Sequence, residues 1–483
     1  MQFLIRLFGI LLAITVLGIT IAIVKIASYN QSEDSVHLAA KQNYLESLEK
    51  LPKTAEHPNI VVILLDDLGY GDVGAYGSQS IRTPHIDSLA AGGMRFSHYY
   101  SPSSVCSPSR AAMMTGRYPP RTGLGHVVFP EEHFMTSLQK LTDANTAIPT
   151  DEIMLSEVLR AAGYNTGMVG KWHMGDSEPS LPNNFGFDHY YGALYSNDMK
   201  PFALYRDEKI EEPAELDQTR LNALYTREVV DFVERQNSET PFFLYYAHNF
   251  PHVPLFSSAE QAGKSDAGLY GDVVEDVDHS IGALLQALER KGFIDNTLII
   301  FTSDNGPWFQ GNPGFTRGRK TQTWEGGQRV PFIAQWPNNI PAGTENSTPI
   351  SGIDLLPTVL ALLDLPLPAD RVIDGVNISG PLMSEEPLDE RPLYYFSRTG
   401  EDLHAVRDNR FKYHRQRGVM AIEFNDNIIS LLPKGPWLFD LSLDPQESYD
   451  VSNRYPEAKD HLRQQFEEKS QEMEVNQRGW LPN

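Results

Sequence analysis

An alternation constrains this chain more than any other feature. Short apolar runs, Asn59–Leu65, Asn165–Val169, Phe242–Tyr246 and Thr297–Thr302, each give way to a polar cluster. Stretches with helical spacing separate them, at 151–162, 216–236, 269–291 and 354–363. Runs this short and rich in β-branched or aromatic residues predict strands buried on both faces. Strands alternating with helices predict an α/β fold, a large mostly parallel sheet flanked by helices. In such sheets ligands sit beyond the carboxyl ends of the strands. The polar clusters are therefore expected to converge on one edge.

Those clusters carry chemistry-bearing residues. Asp66 and Asp67 follow the first run, and paired hard oxygens suit Ca²⁺ or Mg²⁺. Lys171 and His173 follow the second, two apart and so on one side if the chain stays extended. His248 and His252 follow the third, the latter between Pro251 and Pro254, which stiffen its backbone. Ser303-Asp304-Asn305-Gly306 closes the fourth. Gly318-Arg319-Lys320-Thr321 lacks the spacing of a phosphate loop and is rejected as one. Tyr191, Trp308 and Trp324 lie near the clusters; they could stack on a sugar, but packing is the commoner role.

The ends of the chain read differently. Leu7–Val24 carries no charge and lies between Arg6 and Lys25. Its length suits a signal-anchor or a cleaved signal peptide over residues 1–28, and either exports the body. Residues 29–56 are polar and read as a tether or a first helix. Residues 57–366 read as the main domain, the one that carries the polar clusters. Residues 367–483 form a Pro- and acid-rich linker followed by a small antiparallel sheet, with strands near 393–396, 405–406, 411–413 and 437–441, and a last helix at 456–472. The formal net charge of −23 argues against nucleic acid as a partner. It also means that an anionic substrate needs a local positive cluster.

The chain holds a single cysteine, Cys106, so it forms no internal disulfide, and an exported protein of this kind suits a bacterial periplasm. Ser107 is a plausible N-cap, Pro108 a first helical residue and Gly116 a stop. Cys106 then lies at a helix N-terminus, a setting that favours anions, and Arg110 can fold back towards it. A lone buried cysteine is as often inert.

The spelling decides more than the spacing. Cys106-x-Pro108-Ser109-Arg110 with Thr115-Gly116-Arg117 resembles the signature of the type I sulfatases, and the resemblance runs in outline from Asn59 to about Asn453. It implies an alkaline phosphatase-like fold with a small C-terminal subdomain. It implies conversion of Cys106 to formylglycine by a formylglycine-generating or sulfatase-maturing enzyme. Hydrolysis of a sulfate monoester then passes through a formylglycine-sulfate intermediate. By the same resemblance Asp66, Asp67, Asp304 and Asn305 hold a metal, mostly Ca²⁺ in the family, with Mg²⁺ open. Arg110 holds the formylglycine, and Lys171 and Lys320 bind sulfate with Ser196 close by. His173 is the base beside the hydrate and His252 the acid near the leaving group. The substrate is a sulfated small molecule or a sulfated glycan. Two other readings stay open: a formylglycine-dependent phosphonate monoester or phosphodiester hydrolase, and an unmodified, membrane-tethered glycan-binding protein.

Overall fold

The computed structural model of the protein describes residues 2–31, 33–54, 56–384, 386–400, 402–415, 421–422, 429–430 and 434–482. Asn59–Leu65 lies at the centre of a ten-stranded mixed sheet. Its neighbours are Thr297–Ser303 on one side and Phe242–Ala247 on the other, with Asn165–Gly170 and His189–Gly192 beyond the latter. All of these run parallel. The sheet is mixed because its flanks turn antiparallel: Phe332–Gln335 pairs against Thr297–Ser303, and a hairpin of Leu204–Arg206 and Lys209–Glu212 closes the far edge.

The central strand shows why an uninterrupted apolar run was needed. Ile60, Val62 and Leu64 enter one core and Val61, Ile63 and Leu65 the other, the period-2 alternation of a pleated strand covered on both faces. Helices Cys106–Thr115, Leu155–Ala161 and Leu355–Leu362 pack into the first core. Pro84–Gly92, Leu221–Glu234 and Gly268–Arg290 pack into the second.

Leu393–Phe396, Leu403–Arg407, Phe411–His414 and Trp437–Asp440 form the small antiparallel sheet, with helix Pro456–Val475 against it. The segment 367–392 is bound to the body: Asp374 accepts from the Tyr118 N–H and Val376 N–H donates to Asp354. Of the two readings of residues 29–56, the helix is found, at Ser35–Glu49. It is docked by Lys41 to Glu157 at 2.6 Å and His37 to Asp370 at 3.0 Å. Ahead of it, Ile5–Ala27 is long and apolar enough to cross a membrane.

Arg117, from the cysteine motif, ties this assembly together. It meets the buried Glu152 at 2.5 Å, and Arg478 from the C-terminal tail meets the same carboxylate at 2.8 Å. Arg117, Arg371 and Arg478 also lie over the Trp480 ring. Burial alone would push the Glu152 carboxyl up, but Arg117, Arg478 and Arg371 overrule it and hold the group at about 2, against an ordinary 4.5. A depressed carboxyl contributes stability that is present above pH 4.5 and is lost as pH falls towards 2. Its ceiling is about 3 kcal/mol. Glu152→Gln is expected to lower stability near neutral pH by a similar amount and to flatten the acid limb between these values, measured by denaturant melts across pH.

Candidate active site

Leu65, Ser303, Ala247 and Gly170 end adjacent strands in register, and the polar clusters begin at the next residues. Asp66-Asp67, Asp304-Asn305, Lys171–His173 and His248–His252 therefore leave the sheet side by side. Gly170 makes this possible: at φ 115° its missing Cβ would lie 1.9 Å from the Ala247 carbonyl oxygen, and the Lys171 N–H closes on that same oxygen at 2.6 Å. Asp67 and His173 hold positive φ of 66° and 61°, backbone strain concentrated where the clusters turn.

Helix Cys106–Thr115 delivers the cysteine from above, with every residue buried. Its start differs from the sequence reading. Val105 is the cap residue and Cys106 is already helical, while Ser107 Oγ accepts from the Val128 N–H at 3.3 Å instead of capping. Pro108 thus falls two residues later than expected, still in the first turn, where helix N–H groups have no partner to lose. Gly116 ends the helix as expected, at φ 71°.

Around Cys106 Sγ lie Lys320 Nζ at 3.2 Å and Asp66 Oδ1 at 3.4 Å. Lys171 Nζ reaches Asp66 Oδ2 at 2.5 Å and Ser196 Oγ at 3.2 Å, and Lys320 Nζ reaches Asp67 Oδ1 at 2.7 Å. Arg110 does not turn to Cys106 for its hydrogen bonds. Its guanidinium donates to Asp304 Oδ2 at 2.9 Å and to the Lys171 carbonyl at 2.7 Å, clamping two strand ends together. Burial and the nearby Asp66 push the Cys106 thiol up, against the pull of Lys171 and Lys320. An unmodified thiol here stays protonated and is a poor nucleophile.

The two histidines are poised differently. His173 Nε2 lies 3.2 Å from the Val128 carbonyl, to which it can only donate. That leaves Nδ1 as the lone-pair nitrogen; it is buried and has no hydrogen-bond partner among the described residues. Burial, Lys171 and Arg110 hold this imidazole far below its usual range, so it is neutral. His252 donates from Nδ1 to the Val253 carbonyl at 2.5 Å, and its Nε2 lies 3.7 Å from Asp67 Oδ2. Cys106, His173, Ser196, His252 and Lys320 all line one cavity of about 520 Å³.

The oxygens fit a hard cation. Asp66, Asp67, Asp304 and Asn305 present carboxylate and amide groups from two adjacent strand ends. Asn305 Nδ2 donates to Asp67 at 2.7 Å, and its buried Oδ1 has no hydrogen-bond partner among the described residues. Asp66, Asp67 and His252 bring ligand atoms within 4.8 Å of Cys106 Sγ and of one another; Asp304 stands outside that group and accepts from the Asp67 N–H at 3.3 Å. Burial and Asp66 push Asp304 up to about 7 even beside Arg110. A bound cation would relieve that repulsion.

Two parts of the site had no placement legible in the sequence, although Phe134, Met135, Leu138 and Leu141 recur at helical spacing. Residues 126–144 form a wall of the cavity, and Arg398 and Thr399 reach it from the small C-terminal sheet. That sheet also fixes the loop bearing Lys320. Glu325 accepts from Lys412 at 3.0 Å and Tyr100 at 2.6 Å, and its N–H donates to Glu447 at 2.7 Å. Lys412, Arg407 and Arg329 hold the Glu325 carboxyl down at about 2 against its burial. Of the aromatic candidates, Tyr191 is buried and Trp324 is packed between Arg317 and His414, so both serve packing.

Parallel strand ends thus gather buried carboxylates, two lysines and two histidines around Cys106, a setting for a charged substrate that calls for comparison with known hydrolases. The Sulfatase family model matches residues 58–365. N-acetylgalactosamine-6-sulfatase of Rattus norvegicus is 36% identical over 476 residues, 88% of this chain and 88% of that protein. Arylsulfatase A of Homo sapiens is 34% identical over 475 residues, 88% of this chain and 90% of that one. A crystal structure of Ps i-CgsB in complex with k-i-k-neocarrahexaose is similar with a TM-score of 0.75 at 32% identity, covering 88% of this chain and 95% of that chain. This chain belongs to the type I sulfatases, and it is an enzyme that hydrolyses sulfate esters.

Proposed function

We propose that the protein is an exported, formylglycine-dependent sulfatase acting on a sulfated small molecule or a sulfated glycan. The observation that carries this reading is the setting of Cys106: a buried thiol held protonated at the floor of the cavity, between Lys320 and Asp66. As a thiol it has little to offer; as a hydrated aldehyde it presents two hydroxyls. Asp66, Asp67, Asp304 and Asn305 are the residues that would hold Ca²⁺ or Mg²⁺, which supplies positive charge to the sulfate oxygens and lowers the pKa of a neighbouring hydroxyl.

The chain's own groups then divide the work. Lys320 and Lys171, the latter through Ser196, neutralise sulfate oxygens, and Arg110 keeps Asp304 in place beside residue 106. One hydroxyl of residue 106 gives its proton to Asp304 as its oxygen attacks sulfur, the bond from sulfur to the alcohol oxygen breaks, and His252 gives that oxygen a proton. His173 Nδ1 takes the proton of the second hydroxyl; sulfate leaves residue 106 and the aldehyde re-forms. Water then adds back to it. A serine has no second hydroxyl with which to expel sulfate.

Mass spectrometry of protein from its native host is the direct test. Formylglycine at position 106 and faster turnover of an aryl sulfate than of an aryl phosphodiester are expected. Unmodified Cys106 in active protein would count against the mechanism, and preference for the phosphodiester against the substrate class. Asp304→Ala should lower metal affinity and activity together, by about 10²-fold or more, since it removes a carboxylate from a hard-cation site. Activity that survives both this change and chelation would remove the metal from the scheme.

A further inference from the structure

We infer that the leaving-group side of this cavity takes the apolar part of an amphiphilic sulfate ester, drawn from the membrane surface beside which the N-terminal helix holds the enzyme. The inference rests on the sulfatase reading above and concerns the other half of its substrate. Val127, Phe129, Met135, Leu138 and Met199 make up the apolar part of the cavity lining, beside polar residues such as Gln139, Asp198 and Arg398. Met135 and Leu138 belong to helix Phe134–Leu141, which forms the outer wall. That helix does not bury its apolar residues: Phe134 is 72% and Leu138 47% exposed. Leu138 thus lines the cavity and is exposed outside it, so it carries the apolar part of the lining to the surface.

The outside at this point is where a bilayer would be. The apolar helix Ile5–Ala27 packs against Phe134–Leu141. Its last turn is pinned just beyond the wall, with Lys25 on Asp143 at 2.7 Å. Tyr29 Oη then donates to the Ala144 carbonyl at 3.1 Å and Gln31 to the Ala147 carbonyl at 2.9 Å. Basic and tyrosine residues at the end of an apolar span mark the headgroup level. Eight helical residues cover about 12 Å, so the whole wall helix lies within that distance of the level. Exposed apolar residues occur elsewhere on the chain, but Phe134 and Leu138 are placed beside the apolar helix and at the mouth of the cavity, where lipid contact would cover them.

The test uses the full chain in phosphatidylcholine vesicles and a series of 4-alkylphenyl sulfates from phenyl to octylphenyl. KM is expected to fall by up to about fourfold for each methylene that the wall covers, and then to level off. Leu138→Glu should flatten the series. Phe134→Glu, outside the cavity lining, should leave phenyl sulfate turnover unchanged while slowing octylphenyl sulfate embedded in the vesicles at least fivefold. A flat series overturns the inference, as does a preference for a water-soluble sulfated oligosaccharide or a Phe134→Glu enzyme that matches the parent on embedded substrate. Phenyl sulfate is the control: no turnover of it by the parent would count against the sulfatase mechanism, whereas normal turnover with a flat series overturns this inference alone.

Discussion

Cys106→Ala is expected to reduce aryl sulfate turnover by about 10⁴-fold or more while the melting temperature stays within a few degrees of the parent. The substitution removes one sulfur atom from a polar floor. Its contacts there, Lys320 at 3.2 Å and Asp66 at 3.4 Å, have other partners in Asp67 and Lys171. No disulfide depends on the residue. The folded scaffold should therefore survive with its charges still arranged around an empty position. Cys106→Ser separates two explanations of the loss. A serine keeps a hydroxyl and the hydrogen bonding but cannot expel sulfate by re-forming an aldehyde, so at most one turnover per site is expected. Near-parent activity of the alanine variant would show that residue 106 is not the nucleophile, and multiple turnovers by the serine variant would show that release does not require an aldehyde.

How much of this was legible in the sequence depends on which kind of pattern carried it. Runs buried on both faces, such as Asn59–Leu65, have one stable setting, the centre of a sheet covered by helices, so the parallel core and its converging ends could be read directly. The site residues on those strand ends came with it, because chemistry follows each run within a few residues. Edge geometry was not legible. Phe332–Gln335 looks like the other strands yet pairs antiparallel, since direction is set by the path of the connection and not by the residues. The helix start at Cys106 was misplaced because Ser-Pro also fits a position inside the first turn. The wall at 126–144 and the reach of Arg398 were not legible for a stronger reason: they depend on which distant segments pack together, and the helical spacing of Phe134, Met135, Leu138 and Leu141 gives a helix without saying where it docks. The same holds for Arg117, whose spelling belongs to the cysteine motif but whose bonds to Glu152 and the tail carbonyl of Arg478 are structural.

The two histidines should separate the halves of the reaction. His173 lines the cavity and keeps a neutral, unpartnered Nδ1 with Nε2 on the Val128 carbonyl, the arrangement of a base. Burial and the Lys320 charge lower the His252 imidazole below its ordinary range, against the pull of Asp67, towards which its Nε2 lies at 3.7 Å. The negative charge of a bound sulfate ester would raise it again and let it hold a proton for the departing alcohol. An activated phenol needs little help in leaving, so His252→Ala should cost about tenfold with 4-nitrophenyl sulfate and at least 10³-fold with an unactivated alkyl sulfate. His173→Ala leaves the attack on sulfur possible and removes the base for release. Rapid mixing with 4-nitrophenyl sulfate should then show a burst of about one phenol per active site, followed by turnover at least 10²-fold slower than the parent, and mass spectrometry should find residue 106 carrying sulfate. A burst and trapped ester in His252→Ala but not in His173→Ala would mean the roles are exchanged. Their absence from both would mean that release of sulfate does not wait on a histidine, and the second hydroxyl would have to lose its proton elsewhere.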